Sequence, residues 1–368
     1  MLISILTFII VLSVLVLVHE FGHFIAARRA GIWVEEFGFG LPPKILGKKI
    51  GSTLYSINLL PFGGFVRLHG ENTMEDVTLP EKAFLNKSKG RRAVIILAGV
   101  FMNFLLSIFA FSVSYSFTGV PRKTNEIRVV EAREESPAKA VGLMAGDTIV
   151  GVNDQKLTSN KEFIDLVEGN RGKEISLSVK KGETGEIIKV STTPRENPPE
   201  GEGALGVIIT DTEIYFPPVI LRPFYGVYYG VKESLFWGGV VVTGFGKMIV
   251  ELFGGTIPQD IAGPVGIFAL TSQAAQYGLF TLINFVGILS INLAILNAIP
   301  FPALDGGRLL FIGIETVFGR KVVPKVESII HMMGMIILIL LVLAITAHDI
   351  QKLVSLGGIS GYIDSIIK

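Results

Sequence analysis

Four long apolar segments constrain the fold of this chain more than any other feature of its sequence. They cover residues 1–26, 93–118, 277–299 and 326–346, and each is close to the ~20 residues that a helix needs to cross a bilayer. Of the 368 residues, 49% are hydrophobic and 18% charged, more apolar than a soluble domain with a charged surface. Backbone groups in lipid must pair internally. The sequence therefore predicts an α-helical polytopic membrane protein with four transmembrane helices and the lipid bilayer as a partner.

Charge placement predicts how these helices are oriented. Arg28 and Arg29 follow the first apolar segment, and residues 28–92 contain eleven Lys or Arg against six Asp or Glu. Basic loops stay in the cytoplasm, so the first helix is expected to run from outside to inside. Residues 224–253 are apolar but interrupted by charges, and they are expected to lie in the membrane interface or to dip and return.

The overall charge and the absence of cysteine exclude several kinds of chemistry. The net charge is +1, which gives no reason to expect a nucleic-acid partner. The chain has no cysteine, so it has no disulfide, no thiolate zinc site and no cysteine nucleophile. Any metal must therefore be bound by His, Asp or Glu.

Changes in composition divide the chain into four predicted parts. In order, they are a first membrane half, a soluble α+β module, an interfacial amphipathic segment and a second membrane half, at residues 1–118, 119–215, 216–276 and 277–368.

The segment 55–72 predicts a small membrane-associated β-hairpin or sheet. It alternates in polarity and then contains Pro61, Gly63 and Gly64, so the turn is expected at those residues. An unpaired strand edge beside a membrane site can accept another chain as an added strand. Gly63, Gly64 and Phe65 are therefore candidates for contact with an extended substrate.

The soluble module carries a recognisable pattern in "ESPAKAVGLMAGDTIVGVND" (135–154). Pro137 begins a short helix, Gly142 ends it, and a Gly-Asp turn leads into a strand. This stretch resembles the core of PDZ domains of the bacterial, protease-associated kind. The resemblance implies that a peptide carboxylate would bind near Leu205, Gly206 and Val207. A β-rich spacer without a ligand is the alternative.

The first apolar segment contains "HEFGH", which is unusual in hydrocarbon. His19 and His23 are four residues apart, so on a helix they lie on one face and can bind one ion, and Glu20 can reach water on that ion. A charged residue at the centre of a membrane helix costs on the order of 2.5–3.5 kcal/mol, so a cluster of such residues there favours a functional reason. His69, His331 and His348 have no partner at ligand spacing and are interpreted as interfacial packing residues.

Two histidines leave a catalytic zinc site one protein ligand short. "NAIPFPALDGGR" (297–308) offers Asp305 after a helix broken by Pro300 and Pro302. Asp305 could instead be the N-cap of the apolar helix that follows. The unfinished site in the first segment favours the ligand interpretation.

Together these motifs resemble the site-2 protease family, in its bacterial, PDZ-containing branch of regulator-of-sigma-E proteases. The resemblance rests on HEFGH, the GGF loop, the PDZ-like segment and N-x-x-P-x-P-x-L-D-G at 297–306. It implies an intramembrane Zn²⁺ metalloprotease in which His19, His23 and Asp305 bind the metal and Glu20 is the general base. Asn297 and Pro300 would contact the substrate. "AGVFMNF" (98–104) has valine where the family has proline, and its asparagine is interpreted as a packing or substrate-facing amide.

The resemblance also implies a substrate and a location. The substrate would be a single-span membrane protein, such as an anti-sigma factor or a remnant signal peptide, already trimmed by another protease. The chain would lie in the bacterial inner membrane, with the PDZ-like domain outside and the active site toward the cytoplasm. The alternative is a metal-ion carrier or metal-regulated scaffold with a PDZ-like recruiting module.

Overall fold

The protein divides into two compact units. The computed structural model describes residues 2–71, 77–182, 184–199, 201–254, 263–319, 323–358 and 361–362. One unit is formed by Met1–Thr118 with Pro218–Lys368, and the other by Gly119–Pro217.

Helices and strands are numbered separately in chain order. The helices are α1 (Leu2–Arg29), α2 (Lys89–Thr118), α3 (Pro137–Ala140), α4 (Asn160–Glu168), α5 (Arg222–Phe253), α6 (Pro264–Gln276), α7 (Leu279–Ala298), α8 (Asp305–Phe318) and α9 (Pro324–Ser355). The strands are β1 (Val34–Ile50), β2 (Thr53–Leu68), β3 (Val120–Ala132), β4 (Thr148–Val152), β5 (Gln155–Lys156), β6 (Ile175–Lys180), β7 (Ile187–Thr192) and β8 (Val207–Tyr215).

Four of the described helices are long and apolar enough to cross a membrane: α1, α2, α7 and the Lys325–Ser355 part of α9. Most of their residues are not buried against protein, as expected of helices whose outer faces contact lipid. The prediction of four transmembrane helices is confirmed.

The contact between α1 and α2 depends on a glycine inside the HEFGH motif. A Cβ at Gly22 would lie 2.3 Å from the carbonyl oxygen of Ala98, so only glycine lets the two backbones approach so closely. Phe24, Ala27 and Ile95 are buried in the apolar cluster beside this contact. The close crossing brings the α1 face that carries the two histidines against α2.

α5 packs along the second half of α2. Cβ atoms at Gly226 and Gly230 would meet Ser116 and Ser112 of α2 at 2.1 and 2.3 Å, so the two helices are in close contact there. Farther along, the Ser107 and Ser234 hydroxyls are 2.9 Å apart. Residues 224–253 belong to one continuous helix that packs against α2, so the expectation that this segment dips into the membrane and returns is wrong.

The predicted hairpin is present, and the chain reverses where the turn was predicted. β1 and β2 are joined at Gly51, with φ +63°. Beside residues 36–39 of β1, residues 54–57 of β2 run in the same direction and residues 64–67 run in the opposite direction. The chain therefore turns back between these two parts of β2, through Pro61 and Gly63, and Gly63 takes φ +75° there. Asn72, the last residue of the predicted segment, lies outside the described residues.

β1 is paired on two sides near its start. Residues 36–39 have Cα partners at 64–67 and also at 54–57 of β2. The first part of β1 therefore lies between two parts of β2, and residues 64–67 have β1 on one side. The described strands of this sheet are β1 and β2 alone, so no third strand pairs with the other side of 64–67.

The Gly119–Pro217 unit is built on a sheet with the order β7-β6-β4-β3-β8, to which β5 adds by pairing with β4. Ser136 caps α3 by accepting a hydrogen bond from the Lys139 N–H, and Ser159 caps α4 in the same way from Glu162. Residues such as Ile149, Leu177 and Phe163 fill its core. The short helix, the turn and the strand predicted from 135–154 are all present.

Candidate metal centre

His19 and His23 project from one face of α1 and converge at their Nε2 atoms. The two Nε2 atoms are 3.1 Å apart, and both residues are buried, at 6% and 8% exposure. The i, i+4 spacing on a helix produces this arrangement without help from other elements.

Asp305 reaches the same point from a distant part of the chain. Its Oδ2 lies 3.0 Å from Nε2 of His19 and 3.1 Å from Nε2 of His23. Asp305 is the first residue of α8, the N-cap is Leu304, and this N-cap makes no side-chain hydrogen bond. The N-cap interpretation of Asp305 is therefore wrong, because its carboxylate is directed at the imidazoles.

The other ring nitrogens have partners of their own on α2. Nδ1 of His23 lies 2.8 Å from the carbonyl oxygen of Ile95, and Nδ1 of His19 lies 3.3 Å from the side-chain amide of Asn103. A carbonyl can only accept, so Nδ1 of His23 carries a proton and a neutral His23 has its lone pair on Nε2. That lone pair faces an oxygen of the Asp305 carboxylate. A cation bound between these two electron-rich atoms would remove the repulsion between them.

The three converging atoms have the spacing of a zinc site. In tetrahedral zinc coordination with bonds of about 2.05 Å, neighbouring ligand atoms lie about 3.3 Å apart. Separations of 3.0, 3.1 and 3.1 Å form one triangular face of such a tetrahedron within a few tenths of an ångström. Among the described residues, His19, His23 and Asp305 are the group of three that can hold a metal ion.

Glu20 is next to His19 on α1 and is half-buried. Its carboxylate is close enough to His19, His23 and Asp305 to interact electrostatically with all three. A carboxylate at the edge of a metal site can exchange protons with water bound there.

Two residues of α2 that complete the site were missed or left open by sequence reasoning. A Cβ at Gly99 would lie 2.4 Å from Nε2 of His23 and 2.8 Å from Cε1 of His19, so the imidazoles occupy the space beside this glycine. Asn103, one turn later, is fully buried and contacts His19 rather than serving only helix packing. The sequence pattern that could have indicated these residues is a glycine followed one helical turn later by an asparagine, within the apolar segment 93–118.

A cavity of about 160 Å³ adjoins the cluster and is lined by His23, Asp305, Glu71 and Arg308 among others. Arg308 and Glu71 form an ion pair in its wall. A second ion pair, between Arg92 of α2 and Glu315 of α8, is almost completely buried. Because α8 begins at Asp305, this second pair fixes the helix that presents the carboxylate.

The GGF residues lie along α1 just before the histidines. Cβ atoms at Gly63 and Gly64 would lie 3.3 Å from a methyl of Val16 and 2.9 Å from a methyl of Leu17. Phe65 is half-buried, and its ring lies over Gly38 of β1. Farther along β2, Val66 and Leu68 line the cavity that adjoins the metal cluster.

The remaining candidates lie away from the three ligand atoms. Asn297 is half-buried in the last turn of α7, and among the described residues it makes no hydrogen bond to the cluster. Pro300 is exposed just beyond the end of α7. In the other unit, Leu205 is buried, Gly206 has φ +64°, and Val207 begins the edge strand β8.

Comparisons with known proteins show the family of this chain. The sequence profile of Peptidase family M50 matches residues 7–341. The zinc metalloprotease RasP of Geobacillus kaustophilus is 31% identical, over 95% of this chain and 98% of the relative. The regulator of sigma-W protease RasP of Bacillus subtilis is 29% identical, over 95% and 99%. The solved PDZ domain of an SdrC-like protein from Listeria monocytogenes covers 25% of this chain and 95% of that domain, at 22% identity and a TM-score of 0.22. Given the profile match and the His-His-Asp cluster, this chain belongs to peptidase family M50 and is an intramembrane zinc metalloprotease.

Proposed function

We propose that His19, His23 and Asp305 bind the zinc ion of this protease and that Glu20 is its general base. The observation that carries this proposal is the convergence of two Nε2 atoms and one carboxylate oxygen within 3.1 Å of one another. Three protein ligands leave a fourth tetrahedral position open, as catalytic zinc requires. When bound, zinc polarises a carbonyl oxygen and makes water nucleophilic near neutral pH.

The residues of this chain then move one proton. Glu20 takes it from the attacking water as the bond from oxygen to the scissile carbonyl carbon forms. The same carboxyl group delivers the proton to the nitrogen that leaves when the C–N bond breaks. The position of Glu20, beside His19 on the same helix, supports this role.

Backbone and amide contacts from α2 hold the two imidazoles in the tautomer that this role needs. The carbonyl of Ile95 accepts the Nδ1–H of His23, which leaves Nε2 for the metal. Asn103 would do the same for His19 through its Oδ1, after a half-turn of the side-chain amide. That Oδ1 is buried and otherwise lacks a hydrogen-bond partner. Such outer contacts orient metal ligands and raise their basicity.

The substrate is proposed to bind as an extended strand. Peptide bonds inside a helix are shielded, so a transmembrane segment must unwind before it is cut. Residues Gly63, Gly64 and Phe65 lie on β2, and the strand continues into the wall of the cavity beside His23. Its 64–67 edge, opposite β1, is the proposed docking edge. Asn297 and Pro300, at the broken end of α7, would contact the bound segment from another side.

The proposed substrates are single-span membrane proteins already trimmed by another protease, such as an anti-sigma factor or remnant signal peptides. The B. subtilis relative is named for its action on sigma-W regulation. The PDZ-like unit would lie outside and act as a peptide-binding or steric gate, with Leu205, Gly206 and Val207 as candidates for contact with a peptide carboxylate. The active site would face the cytoplasm of a bacterial inner membrane, as Arg28 and Arg29 after α1 favour.

Co-expression with a tagged single-span substrate tests the role of Glu20. Glu20→Gln is expected to retain zinc and to lose at least about a hundredfold in cleavage, the usual contribution of a general base. Glu81→Gln, an exposed glutamate in a loop, is the matched control and should cleave at the wild-type rate.

Undiminished cleavage by Glu20→Gln would contradict the proposed mechanism. Loss of zinc together with activity in that variant would instead make Glu20 a metal ligand, as a metal carrier would use it.

A further inference from the structure

His331 on α9 contacts the loop that carries Asp305. Its Nδ1 accepts a hydrogen bond of 3.0 Å from the backbone N–H of Ala303, two residues before Asp305. His331 is half-buried, with 17% of its side chain exposed. Interfacial packing, the role expected of this histidine from sequence, does not account for a directed bond to the main chain.

Ala303 is in a conformation that needs external support. Its φ is +84°, in the left-handed region that residues with a Cβ rarely adopt. The chain is tightly folded there, because the N–H of Leu304 bonds to the carbonyl of Phe301 at 3.1 Å. Such a residue persists only when its surroundings over-determine it. The bond to His331 is the side-chain contact that the structure provides to the Ala303 N–H.

A second residue of α9 fixes the same loop. Gly334 lies one turn after His331, on the same face of the helix. A Cβ at Gly334 would lie 2.5 Å from the carbonyl oxygen of Pro302, so the helix rests directly on the main chain of the loop. Phe311 of α8 contacts the His331 ring, with the two ring centroids 5.6 Å apart. The imidazole is thus held between the helix that follows the loop and the helix that rests on it.

We propose that His331 is a positioning residue for Asp305. In the neutral ring, Nδ1 accepts from Ala303, and Nε2–H points toward Glu327, whose Oε1 is 3.9 Å away. This acceptor keeps Ala303 left-handed and so keeps the Asp305 carboxylate between the two imidazoles. The inference rests on the proposed role of Asp305 as a zinc ligand.

Substitutions at two positions test the proposal in the full-length protein purified in detergent. His331→Phe keeps an aromatic ring but cannot accept a hydrogen bond. His331→Asn places an amide oxygen the same number of bonds from the backbone as Nδ1. Ala303→Gly removes the Cβ that makes a positive φ unfavourable. His348→Phe, the same change at an exposed position of α9, is the matched control.

Zinc retention against increasing chelator is the main measurement, with cleavage and the thermal unfolding temperature recorded alongside. His331→Phe should lose zinc at about ten- to a hundredfold lower chelator concentration, the usual effect of removing an outer contact of a metal site. His331→Asn and His348→Phe should resemble wild type. Ala303→Gly combined with His331→Phe should recover much of the loss, which a merely structural role of the ring would not produce.

Two results would overturn the proposal. One is wild-type zinc retention by folded His331→Phe, and the other is a loss that Ala303→Gly does not reverse. If His331→Phe does not fold, His331→Gln, with its amide oxygen one bond farther out, replaces it with the same expected loss. Asp305→Asn distinguishes the proposed ligand role of Asp305 from the proposed positioning role of His331. Unchanged zinc content in Asp305→Asn refutes Asp305 as a ligand. Zinc loss in Asp305→Asn without zinc loss in the His331 variant refutes only the positioning role.

Discussion

The chemistry of this protease is concentrated in a few atoms whose partners are shared between helices. His23 offers Nε2 to the cluster because its Nδ1 is occupied by the carbonyl of Ile95, and both rings fit against α2 because residue 99 is glycine. The Ile95 contact uses a backbone carbonyl and does not depend on the side chain at residue 95, whereas the space beside the rings depends on residue 99 having no Cβ. The proposed metal site is therefore expected to be sensitive to a substitution on α2 that leaves His19, His23 and Asp305 intact.

Gly99→Ala is expected to disable the metal centre without weakening the helix. Alanine is the better helix former by about 1 kcal/mol, yet its Cβ would lie 2.4 Å from Nε2 of His23. The imidazoles must then move out of the ligand triangle. We expect a loss of zinc and at least a tenfold loss of cleavage, measured by metal analysis and by substrate processing.

Gly90→Ala is the control for that substitution. Gly90 is on the same helix, and a Cβ there would have no neighbour within 4 Å. Wild-type zinc content in Gly99→Ala would refute the close packing of the imidazoles against this residue.

At the scale of elements, each part of the site depends on a junction between segments. α1 and α2 meet at Gly22, and the ion pair of Arg92 and Glu315 joins α2 to α8. β2 packs against the turn of α1 that precedes His19. In the Gly119–Pro217 unit, Asp147 plays a comparable structural role. It accepts hydrogen bonds from Lys181 at 2.7 Å, Met144 N–H at 3.0 Å and Gly182 N–H at 3.1 Å.

Asp147→Asn is expected to destabilise the Gly119–Pro217 unit at neutral pH. Burial raises the pKa of Asp147, but the hydrogen bonds from Lys181, Met144 and Gly182 outweigh burial and hold that pKa below its usual value. The ionised carboxylate therefore stabilises the folded unit. Losing charged hydrogen bonds should lower the free energy of unfolding of this unit by about 2 kcal/mol. Hydrogen exchange of residues 119–217 in the full-length protein measures it.

The stability difference between Asp147→Asn and wild type is expected to change with pH in a definite direction. A carboxyl group whose pKa is lower in the folded state contributes stability above its unfolded pKa of about 4, and loses it as the pH falls through the folded pKa. The difference between Asp147→Asn and wild type should therefore be full at pH 7 and shrink below about pH 4. A difference that stays constant down to pH 2 would contradict the assignment.

At the scale of the whole molecule, the Gly119–Pro217 unit is inserted into the sequence of the helical unit between α2 and α5. The chain leaves the membrane unit after Thr118 and returns at Pro218. α2 and α5 are bonded side by side, with Ser116 Oγ donating to the carbonyl of Arg222 at 3.2 Å. Both connections to the β unit therefore start from one helix pair, next to each other.

The proposed orientation can be tested directly because the chain has no cysteine. Lys161→Cys lies on the exposed surface of the β unit, and Glu81→Cys lies in the loop between α1 and α2. A membrane-impermeant thiol reagent should label the first in intact spheroplasts and the second only after the membrane is permeabilised. The reverse pattern would place the active site on the opposite side of the membrane.

The sequence by itself determined everything that follows from local periodicity and from the cost of charge in lipid. Apolar segments of sufficient length fix the four membrane helices, and i, i+4 spacing puts His19 and His23 on one face of α1. The turn residues Pro61, Gly63 and Gly64 indicated where the chain reverses, whereas the pairing of residues 36–39 on both sides arises only in the folded sheet.

Tertiary structure alone decided which distant groups meet. The sequence predicted Asp305 as a third zinc ligand but also allowed it to be a helix N-cap, since a carboxylate before Gly-Gly fits either role. The folded chain brings it 3.0 Å from His19 across 286 residues. Asn103 and His331 acquire their contacts with His19 and Ala303 only through helix packing. Such contacts depend on how whole helices cross, and no local pattern in the chain records that geometry.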